Sequence, residues 1–235
     1  INDRCGATYP EVIVDAVRAH RADVGFSFDG DGDRVMVADR TGRVLDGDRL
    51  MAVVAPSMKA AGRLNADTVV VTVMSNLGFR RAMEVAGISI VETAVGDRYV
   101  LEALERDGLS LGGEQSGHVI FRDLATTGDG LLAGLVLLDT VHRSGRGLAE
   151  LASEAMTSYP QVLVNVRTAR RDPDVALLVA AEIAAVEESL DGEGRVLVRP
   201  SGTEALVRVM VEATTQERAV AAARHLADAI EARLA

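Results

Sequence analysis

From Asp48 onward the chain alternates short apolar runs with longer amphipathic ones, and this alternation constrains the fold more than any other feature. "DRLMAVVAPSMKAAG" reads as a helix, "DTVVVTV" as a buried strand, "NLGFRRAMEVAG" as a helix stopped by glycine, and "ISIVET" as a strand. "DRYVLEALERDG" continues as a helix and "LSLGGEQSGHVIF" as two short strands around a polar turn. "TTGDGLLAGLVLLDTVHRSG" reads as a long, buried helix with a threonine cap and a glycine end. Strands that alternate with helices at this spacing predict a largely parallel α/β layer. Ahead of it, "PEVIVDAVRAH" reads as a helix with proline in its first turn, and "DVGFSF" as a strand. "VMVAD" and "RVLDG" read as a hairpin turning at Thr41 and Gly42.

Around Tyr159 and Pro160 the pattern changes. "QVLVNV", "GRVLVRP" and "ALVRVMVEA" read as strands, and "DPDVALLVAAEIAAVEESL" and "TQERAVAAARHLADAIEARL" as helices. Two helices and three strands in so short a stretch predict a smaller α+β domain, helices on one face, after the mixed α/β part.

Composition narrows the partners. A formal net charge of −10 argues against a nucleic-acid surface, because phosphate backbones are bound by basic stripes. The most apolar long stretch, Leu131 to Val141, falls short of the ~20 residues a membrane helix needs, and no stretch reads as a signal peptide. Cys5 is the single cysteine, so no intrachain disulfide forms, which suits a reducing cytoplasm.

The chemistry concentrates in three loops. In "FSFDGDGDRV", Asp29, Asp31 and Asp33 follow a strand at every second position, with glycine between them. Glycine lets the backbone curl so that the three carboxylates converge, and three converging carboxylates repel unless a cation or a proton intervenes. A hard divalent cation suits an all-oxygen set, and Mg²⁺ is the expected ion. An EF-hand fails here, since Arg34 and Arg40 stand where that loop needs glycine and glutamate. A haloacid-type phosphatase is weakened by Asp33, which occupies a position that pattern gives to threonine or valine. A solvated acidic turn is the plainer alternative. Arg34 beside such a cation site makes sense if an anion such as phosphate shares the pocket.

"RPSGTE", Arg199 to Glu204, lies between two strands, the second carrying Arg208. A guanidinium, two hydroxyls (Ser201, Thr203) and Gly202 with its exposed backbone N–H groups suit a phosphate, although Pro-Ser-Gly also forms ordinary turns. "GGEQSGH", Gly112 to His118, offers Glu114 and Ser116 to sugar hydroxyls, or is an ordinary polar hairpin. His118 there is a candidate proton carrier or a positioned donor. In "VGDRYV", Asp97 reads as a helix-start residue and Arg98 as a candidate phosphate contact.

In sum, a metal loop, a polyol loop and a phosphate loop follow in order. The stretches "FDGDGDR", "VMSNLG", "VGDRYVLE", "GGEQSGHVI", "TTGDG", "PQVLVNV" and "RPSGTE" resemble the α-D-phosphohexomutase superfamily along essentially the whole chain, most closely its amino-sugar branch. The resemblance implies four domains: a phosphoserine domain, a Mg²⁺ domain, a sugar-specificity domain and a phosphate-binding domain. On that pattern residues 1–47 are the end of the second domain, 48–155 the third and 156–235 the fourth. It implies a phosphotransfer isomerase in which a hexosamine phosphate, glucosamine 6-phosphate, becomes glucosamine 1-phosphate through a 1,6-bisphosphate, a step toward cell-wall precursors. A phosphomannomutase or phosphoglucomutase, or a stand-alone Mg²⁺ and sugar-phosphate module, are the other readings. Carried over by resemblance, Asp29, Asp31 and Asp33 are the Mg²⁺ ligands and Arg34 sits by the transferring phosphoryl group. Glu114 and Ser116 read the sugar with His118 nearby, and Arg199, Ser201, Gly202, Thr203 and Arg208 hold the far phosphate.

Two departures stand out: Ala205 where the family has proline, and Ala94 where many members have lysine, which leaves the acid–base group unassigned. The serine loop, of the type "SASHNP", occurs nowhere in the 235 residues. The expectation is a chain that begins inside the second domain, needs its N-terminal domains as partners, and is inactive alone. A homodimer is compatible with this reading.

Overall fold

Five consecutive buried residues, Thr68–Thr72, form strand β4, and a run buried on both sides needs layers above and below it. Val69 and Val71 point into one apolar cluster and Val70 into another, as the two-residue period of a strand requires. The computed structural model of the chain describes residues 3–168, 174–201 and 204–234. It divides into two units, Ile1–Thr157 and Ser158–Ala235.

In the first unit, helix α1 (Pro10–His20) is followed by β1 (Val24–Phe28), β2 (Val35–Asp39) and β3 (Val44–Leu45), an antiparallel sheet in the order β1-β2-β3. Then come α2 (Gly47–Ala60), a 3-10 turn at Asn65–Asp67, β4, α3 (Leu77–Val85), β5 (Ser89–Thr93) and α4 (Asp97–Asp107). After these follow β6 (Leu111–Gly113), β7 (Val119–Phe121), α5 (Gly130–Ser144) and α6 (Leu148–Ala155). The second sheet runs β5-β4-β6-β7, with β4 parallel to β5 and β6, and β7 antiparallel to β6. The layer is thus parallel at its centre and antiparallel at the β7 edge, where the two-strand turn predicted from "LSLGGEQSGHVIF" closes.

Helix α2 is the axis of the larger core. Leu50, Met51, Val54 and Ala55 are fully buried, joined by Val35, Val37 and Leu45 from the first sheet and Val69 and Val71 from the second. Asp46 caps α2, accepting from the Arg49 amide at 2.9 Å. The Arg49 guanidinium donates to the Met156 carbonyl at 2.9 Å and also to that of Ala152, satisfying the end of α6. Val70 packs on the other face with Val100, Ala103 and Leu104 of α4. The arrangement is α/β/α.

Three local readings differ from the structure. Helix α5 is capped by Asp129, which accepts from the Leu132 amide at 2.9 Å, instead of by threonine. It is also not buried all round, since Leu131, Leu135 and Leu138 lie exposed along one face. Helix α6 carried no prediction; at eight residues, with Leu148 and Ala152 as its buried positions, its period is too short to stand out.

The second unit is a three-stranded antiparallel sheet, β8 (Gln161–Arg167), β9 (Arg195–Pro200) and β10 (Leu206–Glu212), in the order β8-β10-β9. Helices α7 (Val175–Leu178), α8 (Ala180–Ser189) and α9 (Gln216–Leu234) accompany it. The predicted single helix after Pro173 is interrupted at Val179 (φ −115°, ψ 23°), where a β-branched residue turns inward and is fully buried. Val166, Val198, Val207, Val209 and Val211 pack on Ala219, Ala223, Leu226 and Ile230 of α9. By strand alternation, Leu163, Asn165, Arg199 and Arg208 occupy the opposite face. No described helix is long and apolar enough to cross a membrane.

Candidate metal and phosphate sites

The aspartate loop leaves β1 and returns as β2, so a strand end fixes each side of it. Asp29, Asp31 and Asp33 each offer a carboxylate oxygen within 4.8 Å of the other two. The Arg34 amide donates to Asp29 Oδ1 at 3.1 Å, and the Arg34 Nε lies 3.9 Å from Asp29 Oδ2. Burial opposes the charge on Asp29, but its hydrogen bond with Asp33, the Arg34 amide and the Arg34 guanidinium together hold its pKa below the ordinary value. Asp33 moves the other way: burial first, then the hydrogen bond and charge of Asp29, raise its pKa against the opposing pull of His118. One carboxylate stays ionised while its neighbour holds its proton more tightly.

His118 is the group that faces Asp33. Its Nδ1 lies 3.0 Å from Asp33 Oδ2, its Nε2 accepts from the Gly128 amide at 3.2 Å, and its residue is only 2% exposed. Both ring nitrogens are therefore engaged within the protein, which does not match a proton carrier presented to a substrate. Asp33 Oδ1 is buried and has no hydrogen-bond partner among the described residues. A buried carboxylate oxygen left unsatisfied beside two further carboxylates fits a hard cation, which takes oxygen ligands and removes their repulsion.

The turn 114–118 is joined to this loop through the main chain. The Val35 amide donates to the Gly117 carbonyl at 3.1 Å, and Arg34 and His118 form an isolated antiparallel bridge. Gly117 has φ +92°, and a Cβ there would sit 2.3 Å from the Val35 carbonyl oxygen. Only glycine allows this approach. The Gly130 amide closes the other side on the Gly32 carbonyl at 2.8 Å. Within the turn, Glu114 Oε1 accepts from the Gly96 amide at 3.0 Å, which links it to "VGDRYV", and Ser116 is exposed. Asp46 beneath it has a raised pKa, chiefly from burial. Arg98 is exposed on α4 and pairs with Glu102 at 2.7 Å, one helical turn on.

In the second unit, Arg199 and Arg208 are directly opposed partners across β9 and β10, and Asn165 of β8 is opposite Arg208 on its other side. Two guanidinium groups share one face of one sheet. Burial, and then the charge of Arg208, pulls the Arg199 pKa below its ordinary value. Arg208 Nε is buried without a hydrogen-bond partner among the described residues. Ser201 is buried, its amide donates to the Leu206 carbonyl at 2.8 Å, and its Oγ accepts from the Glu204 amide at 3.3 Å. Gly202 and Thr203 lie outside the described residues.

The pairing of His118 with Asp33, 85 residues apart, was not legible in the sequence. A histidine flanked by glycine and next to a strand is the one local signal.

The model of phosphoglucomutase/phosphomannomutase α/β/α domain III matches residues 46–159, and that of the C-terminal domain of the same proteins matches residues 163–229. A phosphoglucosamine mutase of Leifsonia xyli subsp. xyli is 56% identical over 236 residues, covering 100% of this chain and 52% of that protein. A phosphoglucosamine mutase of Bacillus licheniformis is 50% identical over 235 residues, again covering 100% of this chain and 52% of its own length. The chain thus spans about half the length of the curated relatives it matches. Among solved structures, Aspergillus fumigatus N-acetylphosphoglucosamine mutase in complex with GlcNAc-6P and magnesium superposes with a TM-score of 0.76 at 24% identity, over 100% of this chain and 54% of that one. A phosphoglucomutase/phosphomannomutase family protein of Burkholderia thailandensis gives 0.75 at 22% identity, over 97% of this chain and 51% of its own. These two share the fold. Two consecutive domain models, relatives at half identity and a common architecture agree: the chain belongs to the phosphohexomutase family and carries its domains III and IV.

Proposed function

We propose that the whole protein of which this chain forms part is a phosphoglucosamine mutase, interconverting glucosamine 6-phosphate and glucosamine 1-phosphate, with Mg²⁺ as its cation. The observation that carries the reading is the convergence of Asp29, Asp31 and Asp33 within 4.8 Å, with Asp33 Oδ1 buried and unsatisfied. The relatives at 50% and 56% identity, both named phosphoglucosamine mutase, support the choice of amino sugar.

Asp29, Asp31 and Asp33 are the residues that would hold the ion. When bound, Mg²⁺ supplies positive charge where a phosphoryl group carries negative charge in transfer. Arg34, half-exposed beside Asp29, supplies a second positive charge for the same group. Glu114, oriented by the Gly96 amide, accepts from sugar hydroxyls, and exposed Ser116 either donates or accepts. Arg199 and Arg208 bind a phosphate dianion, which removes their mutual repulsion and satisfies Arg208 Nε.

The test is a coupled mutase assay on the full-length protein, primed with glucosamine 1,6-bisphosphate. Glucosamine 6-phosphate should be the preferred substrate over mannose and glucose phosphates. Turnover of the neutral hexose phosphates with no product from the amino sugar would overturn the assignment.

A further inference from the structure

We propose that His118 is a positioning residue for Asp33: it donates from Nδ1 to Asp33 Oδ2 and thereby reserves Oδ1 for the cation. The inference rests on the metal reading of the aspartate loop given above.

The protonation of the ring follows from its partners. A backbone N–H can only donate, so the Gly128 amide at 3.2 Å requires a lone pair on Nε2. In the neutral imidazole the proton then sits on Nδ1, which donates to Asp33 Oδ2 at 3.0 Å. The ring has no room to turn over. It is 2% exposed, and the Gly128 backbone backs onto it so closely that a Cβ there would lie 2.4 Å from both Cε1 and Nε2.

The two oxygens of Asp33 therefore become different. Oδ2 is taken, while Oδ1 is buried with no partner. A carboxylate between two glycine-rich turns has little of its own to fix its rotation. The ring fixes it from outside, as hydrogen-bonding partners orient the ligands of metal centres generally. The backbone reinforces the placement, because His118 also bridges Arg34 while its neighbour Gly117 accepts from Val35. The turn that carries Glu114 and Ser116 thus also sets one carboxylate of the metal loop. Any shift of the turn is felt at Asp33.

The test is Mn²⁺ binding to the 235-residue chain, read by the loss of the free-ion electron paramagnetic resonance signal on titration. His118→Leu fills the ring's volume without a donor, and His118→Asn restores a donor near the Nδ1 position. His118→Gln reaches the Nε2 position instead and stands in for the leucine variant if that one does not fold. Leucine and glutamine variants should bind Mn²⁺ about tenfold more weakly or worse. Asparagine should recover most of the affinity, although all three lose comparable stability in urea. Affinity unchanged in the leucine and glutamine variants, or asparagine as weak as they are, would sink the proposal and leave the metal reading intact. Absence of saturable binding by the unaltered chain would remove both.

Discussion

Arg199 and Arg208 face each other across the β9–β10 pair, two cations on opposed positions of one sheet face. Like charges at such positions cost about 0.2–1 kcal/mol, and the chain keeps both. Replacing Arg208 by methionine should therefore leave the ligand-free chain as stable as before or slightly more so, by roughly 0.5 kcal/mol. Inorganic phosphate should raise the melting temperature of the unaltered chain and not that of the variant. Equal phosphate stabilisation in both would show that the arginine pair is not where the anion binds.

Asp33→Asn tests the opposite end of the chemistry. The substitution removes one charge from a crowded triad but keeps an amide that can still meet His118 Nδ1 through its oxygen. Metal-free stability should hold or rise, while Mg²⁺ affinity falls at least about tenfold, measured by isothermal titration.

The raised pKa of Asp33 gives a pH signature. Its ordinary value is 3.8 and its folded value is higher, so between the two the folded chain binds more protons than the unfolded one. Stability from this group is greatest below 3.8 and falls as pH rises through the folded pKa. Asp29, with its pKa held down, acts in the opposite sense over the acidic side of that range. Mg²⁺ should therefore raise the urea midpoint clearly at pH 7 and little at pH 4. Asp33→Asn should flatten the difference. A Mg²⁺ effect independent of pH would contradict the assignment of Asp33 as a ligand.

Two glycines separate conformational strain from steric contact. Gly32 (φ +75°) has nothing within 4 Å of a built Cβ, so Gly32→Ala should cost only the left-handed penalty of about 1–2 kcal/mol. Gly117→Ala adds a Cβ 2.3 Å from the Val35 carbonyl oxygen and should cost markedly more, about 3 kcal/mol or beyond, in urea denaturation. Equal losses would mean that the Gly117–Val35 contact is soft.

What the sequence made legible was whatever repeats or clusters locally. The strand runs around Val69–Val71 and Val207–Val211 announce themselves by composition, and three aspartates two apart declare a converging loop. Helix α6 escaped because eight residues give barely two turns of period. The cap of α5 was misread because Thr126, Thr127 and Asp129 are all capping residues, and only the backbone path selects among them. The break at Val179 depends on burial against a sheet that lies in another part of the sequence. The His118–Asp33 contact has no local trace, since tertiary folding alone brings β2 and the 114–118 turn together. Arg98 shows the reverse case: a motif residue that pairs with Glu102, four positions along its own helix.

The amide-to-carbonyl link from Val35 to Gly117 bears on how such enzymes could be re-engineered. A designer who transplants a foreign recognition hairpin into positions 112–118 also moves the scaffold of the ion-coordinating segment, because the two are seamed along their main chains. Exchanges confined to exposed Ser116 should leave cation binding intact, whereas any insertion or deletion beside the seam should abolish it.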